Sequence, residues 1–336
     1  MNHPISDEPD PNVNPTDLTA NVLPLALFET LERCDICGSS AHRTILVEEN
    51  NLNTDAAILR PYARSKVYLR ECDNCKFAFV GKLPAHPGFY KELYSTIVPD
   101  FDTEFNFHGK RSINHQARRA IERFQRCGQL LDVGAWAGAF LHSMSDRFQG
   151  EAVEISPLGA ECIRKAGFKV QCAQFLDAEL KDAYYDVISF IDVLEHLPSP
   201  GKVLDKTRRL LKPNGIVYIK VPNYIGQMNK QSLLKTLRLS NAGIMENYVH
   251  INHFTTASLT EALKRSGFEI LESGATGAEV WDLRNPRLSF KSKFSKFARN
   301  LLANTITSVM NTISKVTGVD WYLNIYVVAR KRGAPL

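Results

Sequence analysis

The sequence predicts an α/β fold built on a doubly wound parallel sheet. From about residue 127 onward, short apolar runs alternate with helical stretches, the pattern of strands joined by crossover helices. The first run ends in a glycine turn, and the second ends in an acid about twenty residues later. In such sheets ligands sit beyond the carboxyl ends of the strands, where the strand order reverses.

Seven strands are predicted, over 129–133, 150–155, 169–172, 186–190, 216–221, 268–273 and 322–330. Between the first two, residues 138–147 have helical character. Pro157 opens the next helix, suited by its fixed φ and missing donor, and Gly167 closes it after Ala166. A helix over 200–211 stops before Pro213-Asn214-Gly215, a turn signal. Another over 256–265 starts with Thr255 or Thr256 as its cap and ends at Ser266-Gly267. Upstream, residues 112–126 predict a helix and 66–70 a β-prone run.

The chain divides into four expected regions. Residues 1–27 read as a flexible leader, broken by Pro4, Pro9, Pro11 and Pro15. Residues 28–83 hold two Cys-x-x-Cys pairs. Residues 84–126 form an aromatic lid and linker, with Phe89, Tyr90, Tyr94, Phe101, Phe105 and Phe107. Residues 127–336 carry the sheet, with a helical insertion at 286–318.

The composition is that of a globular chain with a sizeable core: 336 residues, 44% hydrophobic and 23% charged. A net charge of +5, much of it C-terminal, gives no nucleic-acid footprint. The acidic, Pro- and Asn-rich start lacks the basic and apolar parts of a signal peptide, and no apolar run approaches transmembrane length. A cytoplasmic location is therefore expected, with reduced cysteines.

The segment Leu130-Leu-Asp-Val-Gly-Ala-Trp-Ala-Gly-Ala-Phe-Leu141 carries the cofactor argument. Gly134 permits a tight strand-to-helix turn at positive φ. Gly138 allows close approach of the backbone to a ligand. Glu154 stands at the end of the next strand, where a carboxylate can accept ribose hydroxyl protons. A nicotinamide site would want glycine at 136 to seat a diphosphate on the helix N-terminus, and Trp136 stands there instead. A strand, turn and helix with no ligand is the plain alternative.

The stretches DVGAWAG, VEISPLGAE, YYDVISFIDVLEHLPSP, LLKPNGIVYIKVPN and HINHFTTASLTEALKRSGFEIL resemble, in that order, a class I S-adenosylmethionine (SAM)-dependent methyltransferase acting on small molecules. The likeness spans about residues 110–275 and implies a Rossmann-like seven-stranded methyltransferase sheet. It implies that Asp132, Gly134 and Gly138 surround the methionine moiety and that Glu154 holds the ribose, with Ala135, Trp136 and Ile155 also in the cofactor site. Ala173, Gln174 and Phe175 would lie near the adenine, with Ile191 and Asp192 closing the methionyl side. Trp136 departs from the family, which commonly has glycine there.

Glu195 and His196 leave the fourth strand at its carboxyl end, where a base of near-neutral pKa can serve an in-line methyl transfer. His196 is the candidate base, and Glu195 either orients it or binds substrate. In related sugar C-methyltransferases a matching Glu-His pair has such a role. The alternative is a structural His bonded to backbone. His250 and His253 are read mainly as structural hydrogen-bonding groups, with an acceptor pocket or a weak metal site with Glu195 as the alternative.

Cys34, Cys37, Cys72 and Cys75 have knuckle spacing, and two such pairs make a closed four-sulfur site that suits structural zinc (Zn2+). Free or redox thiols are the alternative. The arrangement resembles the zinc-binding N-terminal module of sugar C-methyltransferases and polysaccharide-biosynthesis methyltransferases, a zinc-ribbon-like unit that helps build the acceptor site. By that likeness Tyr90 and Tyr94 are lid or substrate residues. Cys127, Cys162 and Cys172 are expected to be core thiols.

In the insertion, apolar residues at 290, 294, 297, 301, 305, 306, 309, 313 and 316 follow helical spacing, with Arg287, Lys291, Lys293, Lys296 and Arg299 near its start. Packing on the domain or on a second copy in a homodimer is expected, with membrane-surface or anionic-acceptor binding as the sharper alternative. The functional expectation is methyl transfer from SAM to a sugar, nucleotide-sugar or secondary metabolite. The rivals are a SAM enzyme that cyclises the aminobutyryl arm, releasing methylthioadenosine, and an inactive SAM-binding protein.

Overall fold

A computed structural model describes residues 27–50, 52, 56–96, 111–236, 248–277, 301, 305, 306, 308–318 and 321–333. The expected leader lies outside these residues but for Leu27. So do Phe101, Phe105, Phe107 and the basic start of the insertion.

The N-terminal third forms strands β1 (Phe28–Thr30), β2 (His42–Glu49), β3 (Lys66–Cys72), β4 (Ala78–Val80) and β5 (Lys82–Pro84), followed by helices α1 (Phe89–Thr96) and α2 (Arg111–Glu122). Strand and helix then alternate as β6 (Gly128–Val133), α3 (Ala139–Met144), β7 (Phe148–Val153), α4 (Pro157–Lys165), β8 (Lys169–Gln171) and β9 (Tyr185–Ile191). They continue through α5 (Pro200–Leu210), β10 (Leu211–Pro222), α6 (Tyr224–Thr236), β11 (Asn252–His253), α7 (Thr256–Arg265), β12 (Phe268–Ala275) and β13 (Asn324–Lys331).

All seven expected strands enter one sheet, in the order β12-β13-β10-β9-β6-β7-β8. Four of the six neighbouring pairs are parallel, while β13 runs antiparallel to both β10 and β12, so the sheet is mostly rather than wholly parallel. From β6 the chain steps outward through β7 and β8, then returns to β9 on the other side of β6. That reversal opens a crevice at the carboxyl ends of β6 and β9.

Alternation along the strands gives the sheet two apolar faces. Leu131, Val133, Ile188, Phe190, Val217 and Ile219 face Val203, Leu204 and Leu210 of α5 and Leu259 and Leu263 of α7. Leu130, Val187, Ile216 and Tyr218 face Ala117 and Ile121 of α2, Phe140 and Leu141 of α3, and Ile163 of α4. Thr255 settles the cap of α7: its side chain accepts from the Ser258 N–H while the Ser258 hydroxyl accepts from the Thr255 N–H.

The small sheet is not closed within residues 28–83. Its order is β11-β4-β3-β2, so Asn252–His253 supplies its edge, and β1 pairs with β5 separately. Cys162 is buried as expected, but Cys127 and Cys172 are exposed. Cys127 precedes the first residue of β6 and Cys172 follows the last of β8, so both lie outside the layers that bury their neighbours. Residues 308–317 are helical, and Leu301, Val309 and Val316 of the predicted stripe are exposed. Among the described residues no helix is long and apolar enough to cross a membrane.

Candidate active site

A cavity of about 430 Å³ occupies the crevice at the switch point. Its walls come from the β6–α3 turn, the end of β7, the loop after β8, the end of β9, and α1.

The turn is built as its glycines require. Gly134 sits at φ +66°, and a Cβ there would lie 2.5 Å from Val193 Cγ2. Gly138 caps α3 at φ +81°. Trp136 also takes positive φ, 53°, the conformation a glycine would adopt with ease, and it lines the cavity. An L-residue at this φ carries backbone strain that a glycine would not.

Glu154 is 4% exposed. The Trp136 N–H donates to its Oε2 at 2.7 Å and the Ser156 N–H donates to its Oε1 at 2.8 Å. Burial raises its pKa, opposed by those backbone N–H groups. Each oxygen keeps acceptor capacity for a diol at the cavity wall. Gly159, at the first turn of α4, allows this: a Cβ there would stand 2.8 Å from the Trp136 carbonyl oxygen and 3.1 Å from Glu154 Cγ.

Asp132 is buried on the cavity wall, its Oδ1 accepting from the Ser189 hydroxyl at 2.7 Å. Burial pushes it up to about 7, the Ser189 bond opposing and the Glu154 charge adding. Ala135, Ile155, Ala173, Gln174, Phe175, Ile191 and Asp192 also line the cavity. Gly138 does not, and acts through the start of α3.

Two lysines not singled out from the sequence organise this wall. Lys220 of β10 is fully buried and pairs with Asp192 Oδ1 at 2.5 Å; Asp192 itself sits at φ +56°. Lys206 of α5 donates to the carbonyls of Phe175, Leu176 and Ala178 at 2.7, 3.0 and 2.7 Å, tying down the loop beside the cavity.

On the opposite side, His196 borders the cavity, while Glu195 does not and lies behind it, 2% exposed. His196 Nδ1 lies 2.6 Å from the Val249 carbonyl. A carbonyl can only accept, so Nδ1 carries the hydrogen and a neutral ring keeps its lone pair on Nε2. His196 Nε2 stands 3.8 Å from Glu195 Oε1. Both Glu195 oxygens are buried without a hydrogen-bond partner, and burial, with the Asp192 charge, pushes the carboxyl up to about 8. Tyr90 and Tyr94 line the cavity with buried hydroxyls that have no partner, and burial pushes both phenols up. His250 stacks on His196 at 4.8 Å between ring centroids, and His253 packs edge-on to Tyr224 at 5.7 Å. Neither borders the cavity; Glu195, His196 and His250 together offer ligand atoms within 4.8 Å of one another.

The donors fit adenosyl recognition. An acidic pair at the ends of adjacent strands, a turn that a Cβ would block, and an apolar loop beyond β8 meet in one crevice. A family model described as a methyltransferase domain matches residues 106–273, half of the chain. The chain belongs to the SAM-dependent methyltransferases.

An uncharacterised protein of Methanocaldococcus jannaschii is 26% identical over 160 residues, 47% of this methyltransferase and 72% of that protein. A ubiquinone biosynthesis O-methyltransferase of Neisseria meningitidis is 28% identical over 108 residues. That match takes in 29% of this chain and 45% of the relative, so the chain spans less than half the relative's length. A SAM-dependent methyltransferase of Thermotoga maritima superposes with a TM-score of 0.47 at 16% identity, covering 72% of this chain and 99% of that one.

Away from the crevice, the four expected cysteines converge. Cys34 and Cys75 sulfurs lie 3.5 Å apart, as do those of Cys37 and Cys72, and all four fall within 4.8 Å of one another. A tetrahedral ion with metal–sulfur bonds of about 2.3 Å separates its sulfurs by about 3.8 Å, so the cluster fits such an ion. The Gly38 N–H donates to the Cys34 carbonyl and the Lys76 N–H to that of Cys72, with Gly38 and Lys76 both at positive φ, closing two matching knuckles. A hydrogen bond from Cys34, with smaller ones from the Phe77 backbone and the Cys37 and Cys72 thiols, holds Cys75 down to about 5 against its burial, while Cys34 itself is pushed up.

Proposed function

We propose that this methyltransferase moves a methyl group to a small-molecule acceptor carrying a hydroxyl or an acidic C–H, of the sugar, nucleotide-sugar or secondary-metabolite kind, with His196 taking the proton. Glu154 carries the reading: both its oxygens are oriented by backbone N–H groups toward a cavity of nucleoside size. SAM supplies an electrophilic methyl on a sulfonium whose charge vanishes as the methyl leaves.

The chain's own part is placement and proton handling. Gly134 and the Trp136 backbone shape the turn, Asp132 and Asp192 supply acidic partners, and Lys206 holds the loop after β8. His196, held through Nδ1, offers Nε2 as the atom that takes the proton when the ring is neutral. The partnerless hydroxyls of Tyr90 and Tyr94 support them as acceptor-binding groups, since a buried hydroxyl without a partner gains from a polar ligand. The O-methyltransferases among the relatives support oxygen as an acceptor atom. The cysteine cluster is read as structural zinc, because four thiolates leave no open position for chemistry.

Incubation of the purified chain with SAM and candidate acceptors, followed by mass spectrometry of the nucleoside released, tests the proposal. S-adenosylhomocysteine formed only with acceptor supports it. Methylthioadenosine points to cyclisation, and binding without turnover points to a SAM-binding protein; either outcome overturns it.

A further inference from the structure

The two cysteine knuckles are far from the cavity in sequence, yet each bonds to one flank of the turn that bears His196. The second knuckle leads into β4, where Asn252 pairs with Phe79 and His253 with Ala78, and the Val80 N–H donates to the Ile251 carbonyl at 2.9 Å. From there the strap 249–252 reaches the turn three ways. The Ile251 N–H donates to the Glu195 carbonyl at 2.9 Å. Asn252 Nδ2 donates to the carbonyls of Leu194 and Leu197 at 3.1 and 2.8 Å. The Val249 carbonyl takes the hydrogen of His196 Nδ1.

The first knuckle holds the other flank. α5 begins directly after the turn, and its N-cap, Ser199, sits at φ +55° and makes no side-chain cap bond. Asp35, between Cys34 and Cys37, supplies one instead: its Oδ2 accepts from the Gly201 N–H at 2.5 Å. The contact is close by construction, since a Cβ on Gly201 would lie 2.7 Å from the Asp35 carbonyl oxygen. A carboxylate at a helix N-terminus also meets the positive end of the helix dipole.

We propose that the four-cysteine cluster is a positioning device for the active site: a metal ion held by Cys34, Cys37, Cys72 and Cys75 clamps both ends of the Leu194–Ser199 turn and so fixes His196 over the cavity. Without the ion, the two knuckles are joined only by packing and by hydrogen bonds such as that from the Asp73 N–H to the Ala41 carbonyl, so the tie between the Asp35 and β4 anchors loosens. The hydrogen bonds traced here run to the His196 turn and not to Glu154, so cofactor affinity is expected to change little. The consequence for turnover rests on the proposed role of His196; the mechanical coupling does not.

Hydrogen exchange on the full-length, zinc-loaded chain with S-adenosylhomocysteine bound tests the coupling. Chelation is expected to speed exchange at 194–201 and 249–253 at least tenfold, with 130–138 and 154–160 unchanged and S-adenosylhomocysteine affinity within threefold. Exchange that stays slow at 194–201 after the metal has gone overturns the proposal. Should chelation unfold the chain, Asp35→Ala, which keeps all four cysteines, decides. The expected result is one zinc per chain, faster exchange at 194–201, kcat down at least fivefold with KM for SAM unchanged, and rescue by Asp35→Asn, which can still cap. Wild-type exchange in Asp35→Ala refutes the clamp. Loss of S-adenosylhomocysteine binding in the wild type would sink the methyltransferase reading instead, and is read separately.

Discussion

Trp136 and Glu154 are joined across the carboxyl ends of β6 and β7, the Trp136 backbone N–H donating to Glu154 Oε2 at 2.7 Å. The bond does two things at once. It holds an L-residue in the left-handed region where glycine is the usual occupant, and it aims a carboxylate that burial alone would prefer to neutralise.

Replacing Glu154 by Gln tests this directly. The amide would turn one N–H₂ toward an N–H donor, from Trp136 or Ser156, and would offer a neutral acceptor to a diol. Hydrogen bonds to a charged group contribute about 1.5–3 kcal/mol, so affinity for S-adenosylhomocysteine should fall roughly 10- to 150-fold. Calorimetry on a variant with an unchanged circular dichroism spectrum would measure it; undiminished affinity would remove Glu154 from the site.

What the sequence made legible was local. Asp132, Gly134 and Glu154 announce themselves because strand, turn and acid lie within about one βαβ unit, where spacing alone fixes geometry. Cys34, Cys37, Cys72 and Cys75 were legible for the same reason: each knuckle is four residues long. Lys220 is one polar residue in an apolar strand, and only the pairing of β9 with β10 brings it to Asp192. Gly159 gives no local signal, since its part depends on the packing of α4 against the Trp136 turn. The entry of Asn252–His253 into the cysteine sheet has no local signal at all, since two residues carry no periodicity. Cys127 and Cys172 were misplaced because burial depends on where a strand stops, to within a residue.

Gly159→Ala isolates packing from charge. Its new methyl would need the Trp136 carbonyl or the Glu154 stem to retreat by a few tenths of an ångström or more. Trp136 and Glu154 both line the cavity, so S-adenosylhomocysteine should bind at least tenfold more weakly, although alanine favours the helix by about 1 kcal/mol. Calorimetry and a urea unfolding curve together separate the two effects. Unaltered binding would show that the close approach has no part in the site.

His196→Ala addresses the proposed base. The ring packs against Tyr94 and His250, is held by the Val249 carbonyl and borders the cavity. Turnover should therefore drop at least tenfold while SAM affinity is nearly unchanged, in line with the 10²–10⁴-fold that general bases typically contribute. Steady-state kinetics with the identified acceptor would measure it. Full activity would return His196 to a purely structural part, held by the strap.

The last prediction concerns pH and comes from Glu195, whose two oxygens are buried without hydrogen-bond partners. Its carboxyl titrates at about 8 in the fold, pushed up first by burial and then by the Asp192 charge, against about 4.3 in an unfolded chain. Between those values the folded protein holds a proton that the unfolded chain has released. Stability must therefore decline as pH rises through that window and level off above about 8. Glu195→Gln removes the titration and keeps the shape, so its stability relative to wild type should grow with pH, by several kcal/mol on this order-of-magnitude reckoning of about 1.4 kcal/mol per pKa unit. Urea unfolding at pH 5.5 and pH 8.5 gives the comparison. A Gln variant whose advantage is the same at both values would mean that Glu195 does not hold an extra proton in the fold across this range.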